Sequence, residues 1–142
     1  MEKIKFFLIP GEPTGKGRPR FTRSGHAYTP ERTASYEQAV RQAYKAEFPG
    51  EEPIPACVPV AVKIMAGYSI PKSTSKVKAE RMLAGEIRPT KKPDADNIAK
   101  AVCDALNGVA YRDDSQICRL TVSKTYSELD AVSVRIYSAP FD

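Results

Sequence analysis

Five of the chain's seven aspartates fall in a window of 21 residues, from position 94 to position 114. The window reads Lys92-Pro93-Asp94-Ala95-Asp96-Asn97, then Lys100 and Asp104, then Asn107-Gly108, then Asp113-Asp114-Ser115-Gln116-Ile117. Carboxylates are hard oxygen donors. Mg2+ takes one or two of them, keeps several waters and completes its shell on phosphate oxygens. Two such ions about 4 Å apart can stabilise the attacking and leaving oxygens of a phosphodiester. With Asp96 at or near a helix N-cap, Lys100 and Asp104 follow at i+4 and i+8 on the same face. Asn107-Gly108 stops that helix, so the chain can turn and return Asp113 and Asp114 toward its N-terminal end. Lys100 would offset repulsion among the carboxylates, and could donate to a scissile phosphate or position the attacking water. Each acid also has a plain structural use. Asp94 and Asp96 suit a helix start, Asp96, Lys100 and Asp104 suit a surface ion-pair ladder, and Asp113-Asp114-Ser115 suits a turn.

A basic segment precedes the acidic one. Lys16, Arg18, Arg20 and Arg23 lie within eight residues, with Phe21, His26 and Tyr28 interleaved. Such a loop can neutralise phosphates, and each contact makes binding more salt-sensitive; a merely solvated loop would have the same composition. Lys91 and Lys92 adjoin the first aspartates and are further phosphate contacts, with Lys72, Lys76 and Lys78 as weaker ones. Gly11 to Gly17 imitates a phosphate-binding P-loop but lacks its spacing, and Gly17 stands where a Ser or Thr must meet Mg2+. His26 is the only histidine, which excludes a His-rich metal site. The net charge of +5 hides this division. Residues 1–93 carry 17 basic and 9 acidic side chains, and residues 94–142 carry 5 and 8. A polyanion and a divalent cation call for this pairing of charges.

The elements that must position these residues follow from periodicity. The chain has 142 residues, 42% hydrophobic and 27% charged, which suits one soluble globular domain over 1–142. No apolar run approaches the roughly 20 residues of a membrane span, and Lys5 and Pro10 spoil any secretory leader, so no membrane is expected. Three cysteines, an odd number without close pairing, suit a reducing cytosol and a cytoplasmic protein and exclude a zinc ribbon. Cys103 and Cys118 read as core residues. Strands are predicted at 3–9, 58–65, 117–126 and 131–137. Residues 10–32 read as a long basic loop. A helix with Tyr36, Val40 and Tyr44 on its apolar face follows, with Ser35 and Gln38 as a capping box and Pro49-Gly50 as its stop. Further helices are predicted near 75–83 and over 95–106, the latter facing inward with Ile98, Ala101, Val102, Ala105 and Leu106. The fold class is α+β, a mixed sheet with helices packed on it. The last two strands are expected to pair as a C-terminal antiparallel hairpin about residues 127–130.

The spaced pattern Lys-Pro-Asp-x-Asp-Asn-x-x-Lys-x-x-x-Asp-x-Leu-Asn-Gly, then Asp-Asp-x-Gln-Ile, resembles the signature of the RusA family of Holliday junction resolvases, the crossover junction endodeoxyribonucleases. Gly15-Lys16-Gly17-Arg18-Pro19-Arg20, then Tyr28-Thr29-Pro30, Thr33 and Tyr36, resembles the family too. The resemblance spans most of the chain and is weakest over 50–88. It implies a homodimeric, Mg2+-dependent nuclease that cuts four-way DNA junctions by paired symmetric nicks in recombination and repair. It assigns catalysis to Asp94, Asp96, Lys100 and Asp114, and metal binding to Asp94, Asp96 and Asp114. Asp113 remains a further or alternative ligand. Asp104, about 12 Å of rise beyond Asp96, is better placed as a structural or lysine-orienting partner. The carboxyl groups of Asp94, Asp96 and Asp114 should then converge in the fold. The rival readings are a metal-dependent nuclease for another branched DNA and a non-catalytic DNA-binding accessory protein.

Overall fold

The computed structural model describes residues 3–28 and 30–138; Thr29 and Asp142, used above, and the ends of the 1–142 domain range lie outside them. Strand β1 (Lys3–Pro10) opens the chain. The basic loop follows and carries a small hairpin, β2 (Arg20–Phe21) and β3 (Ala27–Tyr28), turned through Gly25 at a φ of 87°. Helix α1 (Glu31–Glu47), strand β4 (Val60–Ser69), helix α2 (Lys76–Leu83), helix α3 (Ala95–Leu106), strand β5 (Ile117–Ser127) and strand β6 (Ala131–Ser138) complete the order.

The main sheet runs β1-β6-β4-β5. Its β4·β5 pair is parallel and its other pairs are antiparallel, so the mixed α+β class expected from the sequence is present. The C-terminal hairpin is present as two consecutive antiparallel strands joined through Glu128–Asp130, but its direct pairing needs correcting. Strand β4 lies between β5 and β6, and each hydrogen-bonds β4 instead of the other. The reason lies in β4, whose residues are buried along nearly their whole length. A strand so buried along both faces belongs in the middle of a sheet. Two strand spacings are about 10 Å, which three residues at about 3.3 Å each can cross. Asp130 fixes the result: its Oδ1 accepts from the Ser69 N–H at 2.8 Å and its carbonyl accepts from the Gly11 N–H at 3.1 Å.

One hydrophobic core fills the space between a sheet face and the helices. Phe7 and Ile9 of β1, alternate residues Val60 to Tyr68 of β4, and Val132, Val134 and Ile136 of β6 meet Tyr36, Val40 and Tyr44 of α1 and the apolar face of α3. The period of two in the strands and of about 3.6 in the helices turns these residues inward together. The opposite sheet face leaves Ile4, Phe6 and Leu8 of edge strand β1 exposed.

Helix α1 starts earlier than its apolar period suggests. Pro30 is its N-cap, without a side-chain cap, and Ser35 sits inside the helix rather than at its start. Contacts with the preceding loop support the added turn: Thr33 Oγ1 accepts from the Gly17 N–H at 2.9 Å. Cys103 is buried as expected, whereas Cys118 is exposed. It lies on β5, an edge strand with only β4 beside it, so its surroundings are open on the far side.

Candidate active site

Helix α3 organises the site. Asp94 is its N-cap residue, two residues before Asp96, which lies in the first turn. The Asp94 carboxylate makes no capping bond, so it stays available. Basic loop and helix are pressed together at this end. The Lys16 N–H donates to the Asn97 carbonyl at 2.9 Å. A Cβ on Gly15 would stand 2.7 Å from Pro93 Cβ and 3.0 Å from Asn97 Cβ, so only glycine permits the approach. The Lys92-Pro93 bond that leads into the helix is cis.

The other end of the constellation is held by Gln116. Its amide donates to the Pro55 and Val58 carbonyls, both at 2.9 Å, and its Oε1 accepts from the Asp113 N–H at 3.0 Å. This buried amide bolts the turn to the connector before β4. Asp113 completes a reciprocal cap on the 3₁₀ turn Asp114–Gln116, its carboxylate accepting from the Ser115 N–H at 3.1 Å. Hydrogen bonding from Ser115, by its side chain first and its backbone N–H second, holds the Asp113 carboxyl below its usual range. Asp114 is fixed through its backbone alone: its N–H donates to Asn107 Oδ1 at 3.0 Å, which leaves its carboxylate free. The Asp-Asp pair therefore divides into a capping residue and an available one.

Two adjoining depressions result. Asp96, Lys100, Asp104 and Asp114 line one hollow together with Cys103 and Leu120. Asp94 instead lines a larger cleft of about 740 Å³ with Lys16, Arg18, Arg20, Arg32, Lys92 and Asn97. The first turn of α3 separates them. Asp94, Asp96 and Asp114 thus do not gather around one point, and among the described residues no three acids, histidines or cysteines stand close enough to share an ion. Asp96 and Asp114 do meet in one hollow, and neither carboxylate is taken by a hydrogen bond or ion pair among the described residues. The chemistry of these donors suits Mg2+, which needs only one or two carboxylates beside waters and phosphate oxygens.

Lys100 is exposed and pairs with Asp104, Nζ to Oδ2, at 3.3 Å. The same oxygen lies 3.4 Å from Lys16 Nζ, which also meets Glu37 of α1 at 2.7 Å. Burial opposes the Lys16 charge, but the Glu37 and Asp104 carboxylates outweigh it and raise its pKa. At the hollow, burial pushes the Cys103 thiol up to about 11, so it stays protonated near neutrality. The Tyr111 hydroxyl donates to the Cys103 carbonyl at 2.7 Å and ties the returning chain to α3.

The basic residues separate in the same way. Lys16, Arg18, Arg20 and Lys92 line the cleft. Arg23 is exposed at the turn of the β2–β3 hairpin, and Lys91 lies over the Tyr68 ring at 5.0 Å. Arg32 also lines the cleft and was not singled out from the sequence. It stands outside the dense 16–23 cluster, and its signal was its place at the start of the helix that borders the loop.

A cleft lined by cations beside an acidic hollow suits an enzyme acting on phosphodiesters. Residues 10–137 match the family described as Endodeoxyribonuclease RusA, and the chain belongs to that family. It is therefore an endodeoxyribonuclease of the Holliday junction resolvase kind, a DNA-binding hydrolase of recombination from a family that generally uses divalent metal. The chain is also similar to the uncharacterized protein YqaN of Bacillus subtilis (strain 168), 42% identical over 139 residues, which is 96% of each chain.

Proposed function

We propose that this chain is a single-domain, Mg2+-dependent resolvase that cuts four-way DNA junctions by paired symmetric nicks, acting as a homodimer in cytoplasmic DNA recombination and repair. The observation that carries the reading is the meeting of Asp96, Asp114 and Lys100 in one hollow beside a cleft lined by Arg18, Arg20, Arg32 and Lys92. Asp96 and Asp114 would hold the metal, and Asp94 stands on the cleft side of the first turn of α3, facing the DNA backbone. The ion would neutralise phosphate charge and make a water more acidic. Lys100 donates to the phosphate oxygen on which charge develops. The arginines hold the flanking backbone, which fixes the scissile bond without reading its sequence. Asp113 keeps Asp114 in place by capping the turn. Three free cysteines agree with a reducing compartment. A two-fold enzyme places one site on each of two related strands.

The test is cutting of a synthetic four-way junction, with linear duplex and flap DNA beside it, with and without Mg2+. The expected result is paired nicks in the junction that need Mg2+ and disappear in Asp96→Asn, with junction binding retained. Wild-type-like cutting by Asp96→Asn rejects the role of that carboxylate. Equal cutting of all three DNAs rejects junction selectivity.

A further inference from the structure

Lys16 belongs to the basic loop by sequence, yet its ammonium is engaged by carboxylates. Its side chain is 18% exposed and that of its partner Glu37 is 12% exposed. Its backbone N–H is held by Asn97 and its Nζ by carboxylates from two helices. Two lysines and two carboxylates in this chain of contacts cancel in charge, so Lys16 offers little to a passing phosphate. Drawing it out would leave Glu37 and Asp104 half-buried without it, which is costly. The shared atom is Asp104 Oδ2, 3.4 Å from Lys16 and 3.3 Å from Lys100.

We infer that Lys16 is a positioning residue for the reaction: with Glu37 it occupies one side of Asp104, so that Asp104 steadies Lys100 over the acidic hollow without capturing it. The inference rests on the function proposed above. If Lys16 loses its charge, Asp104 has one cation left and tightens its existing 3.3 Å pairing with Lys100, which then turns less readily toward Asp96 and Asp114. The same contacts tie the basic loop to α1 and α3, so the DNA cleft and the lysine at the hollow are set by one group. A misplacement of about 1 Å can cost on the order of a hundredfold in rate.

The experiment compares Lys16→Met, Lys16→Arg and Arg18→Ala with the wild-type chain. Junction binding is measured against salt, and single-turnover cutting is measured at saturating protein with Mg2+. Arg18→Ala should lower the salt slope of binding by about 1, as expected of a phosphate contact. Lys16→Met should keep the wild-type slope and lose roughly ten- to a hundredfold in single-turnover rate. Lys16→Arg should recover most of that rate, and adding Asp104→Asn to Lys16→Met should cost little more. A slope lowered by about 1 with a wild-type rate makes Lys16 a phosphate contact and overturns the inference. If Lys16→Met does not fold, Glu37→Gln removes the other end of the same contact, and an unchanged rate in that variant overturns the inference equally. A wild-type chain that cuts no junction overturns the proposed function, and this inference with it.

Discussion

At the scale of single residues, neighbouring acids are set apart by what already holds them. Asp113 spends its carboxylate on the Ser115 N–H, whereas Asp114 is anchored by its backbone and keeps its carboxylate free. Asp114→Asn should therefore abolish junction cutting while leaving thermal stability nearly unchanged. Asp113→Ala should lower the melting temperature and keep measurable cutting. The two variants exchanging these outcomes would reverse the assignment. The pH dependence follows in sign. The folded pKa of Asp113 lies below its ordinary value, so its stabilising contribution is full above about pH 4 and is lost as pH falls through the lowered value. Melting temperature plotted against pH should fall less steeply in Asp113→Ala than in wild type on the acid side. The family resemblance favoured Asp114, but spacing alone did not foretell this division, because both acids suit a turn and only the surrounding N–H groups distinguish them. It did isolate Asp96, Lys100 and Asp104, because helical spacing alone places them on one face.

At the scale of elements, the loop-to-helix contact at Gly15 is the joint on which the cleft depends. Gly15→Ala would drive its Cβ against Pro93 and Asn97. The expected cost is about 1–3 kcal/mol of stability, as for other overpacked sites, read from denaturant melts, with weaker junction binding as the loop moves off α3. Unchanged binding would show that the loop is not seated by this contact. Gln116→Leu tests the opposite joint. It takes the side-chain donor from the Val58 carbonyl and one of two donors from the Pro55 carbonyl, which keeps the Val58 N–H; the expected cost is about 1–3 kcal/mol, and cutting should fall more than binding because Asp114 moves with the turn. Helix α3 was legible because its cap, period and Asn-Gly stop are local. The order of the strands was not. Alternation shows which face of β5 and β6 turns inward, but the insertion of β4 between them depends on a contact between residues about 60 positions apart, such as Asp130 with Ser69. The early start of α1 was hidden for the same reason, since Gly17 and Lys16 stabilise its first turns from outside the helix.

At the scale of the whole molecule, the helices cover one face of the sheet and leave the other open, with Ile4, Phe6 and Leu8 exposed on its edge. Exposed apolar side chains gathered on one strand mark an interaction surface, and the second copy of the proposed homodimer is the occupant expected there. Phe6→Lys together with Leu8→Lys should shift sedimentation equilibrium toward the monomer. It should also convert paired nicks into uncoupled single nicks while each Asp96–Asp114 hollow stays intact. A dimer of undiminished strength in that variant would place the contact elsewhere. The charge division read from the sequence is retained in space, since cleft and hollow flank the same turn of α3.

Strand β6 is the latest of the described strands in chain order, yet it occupies the second place in the sheet, and β1 pairs with no other strand. A chain made from its N-terminus thus completes its basic loop and acidic helix long before β1 can be joined to β4. Until residues 131–138 emerge from the ribosome, the two halves of the cutting machinery have no common sheet to hold their spacing. Nascent chains stalled before that point should be readily cleaved by protease and inert toward junctions. The order of translation would then act as a safety catch, keeping a half-made nuclease from touching the DNA around it.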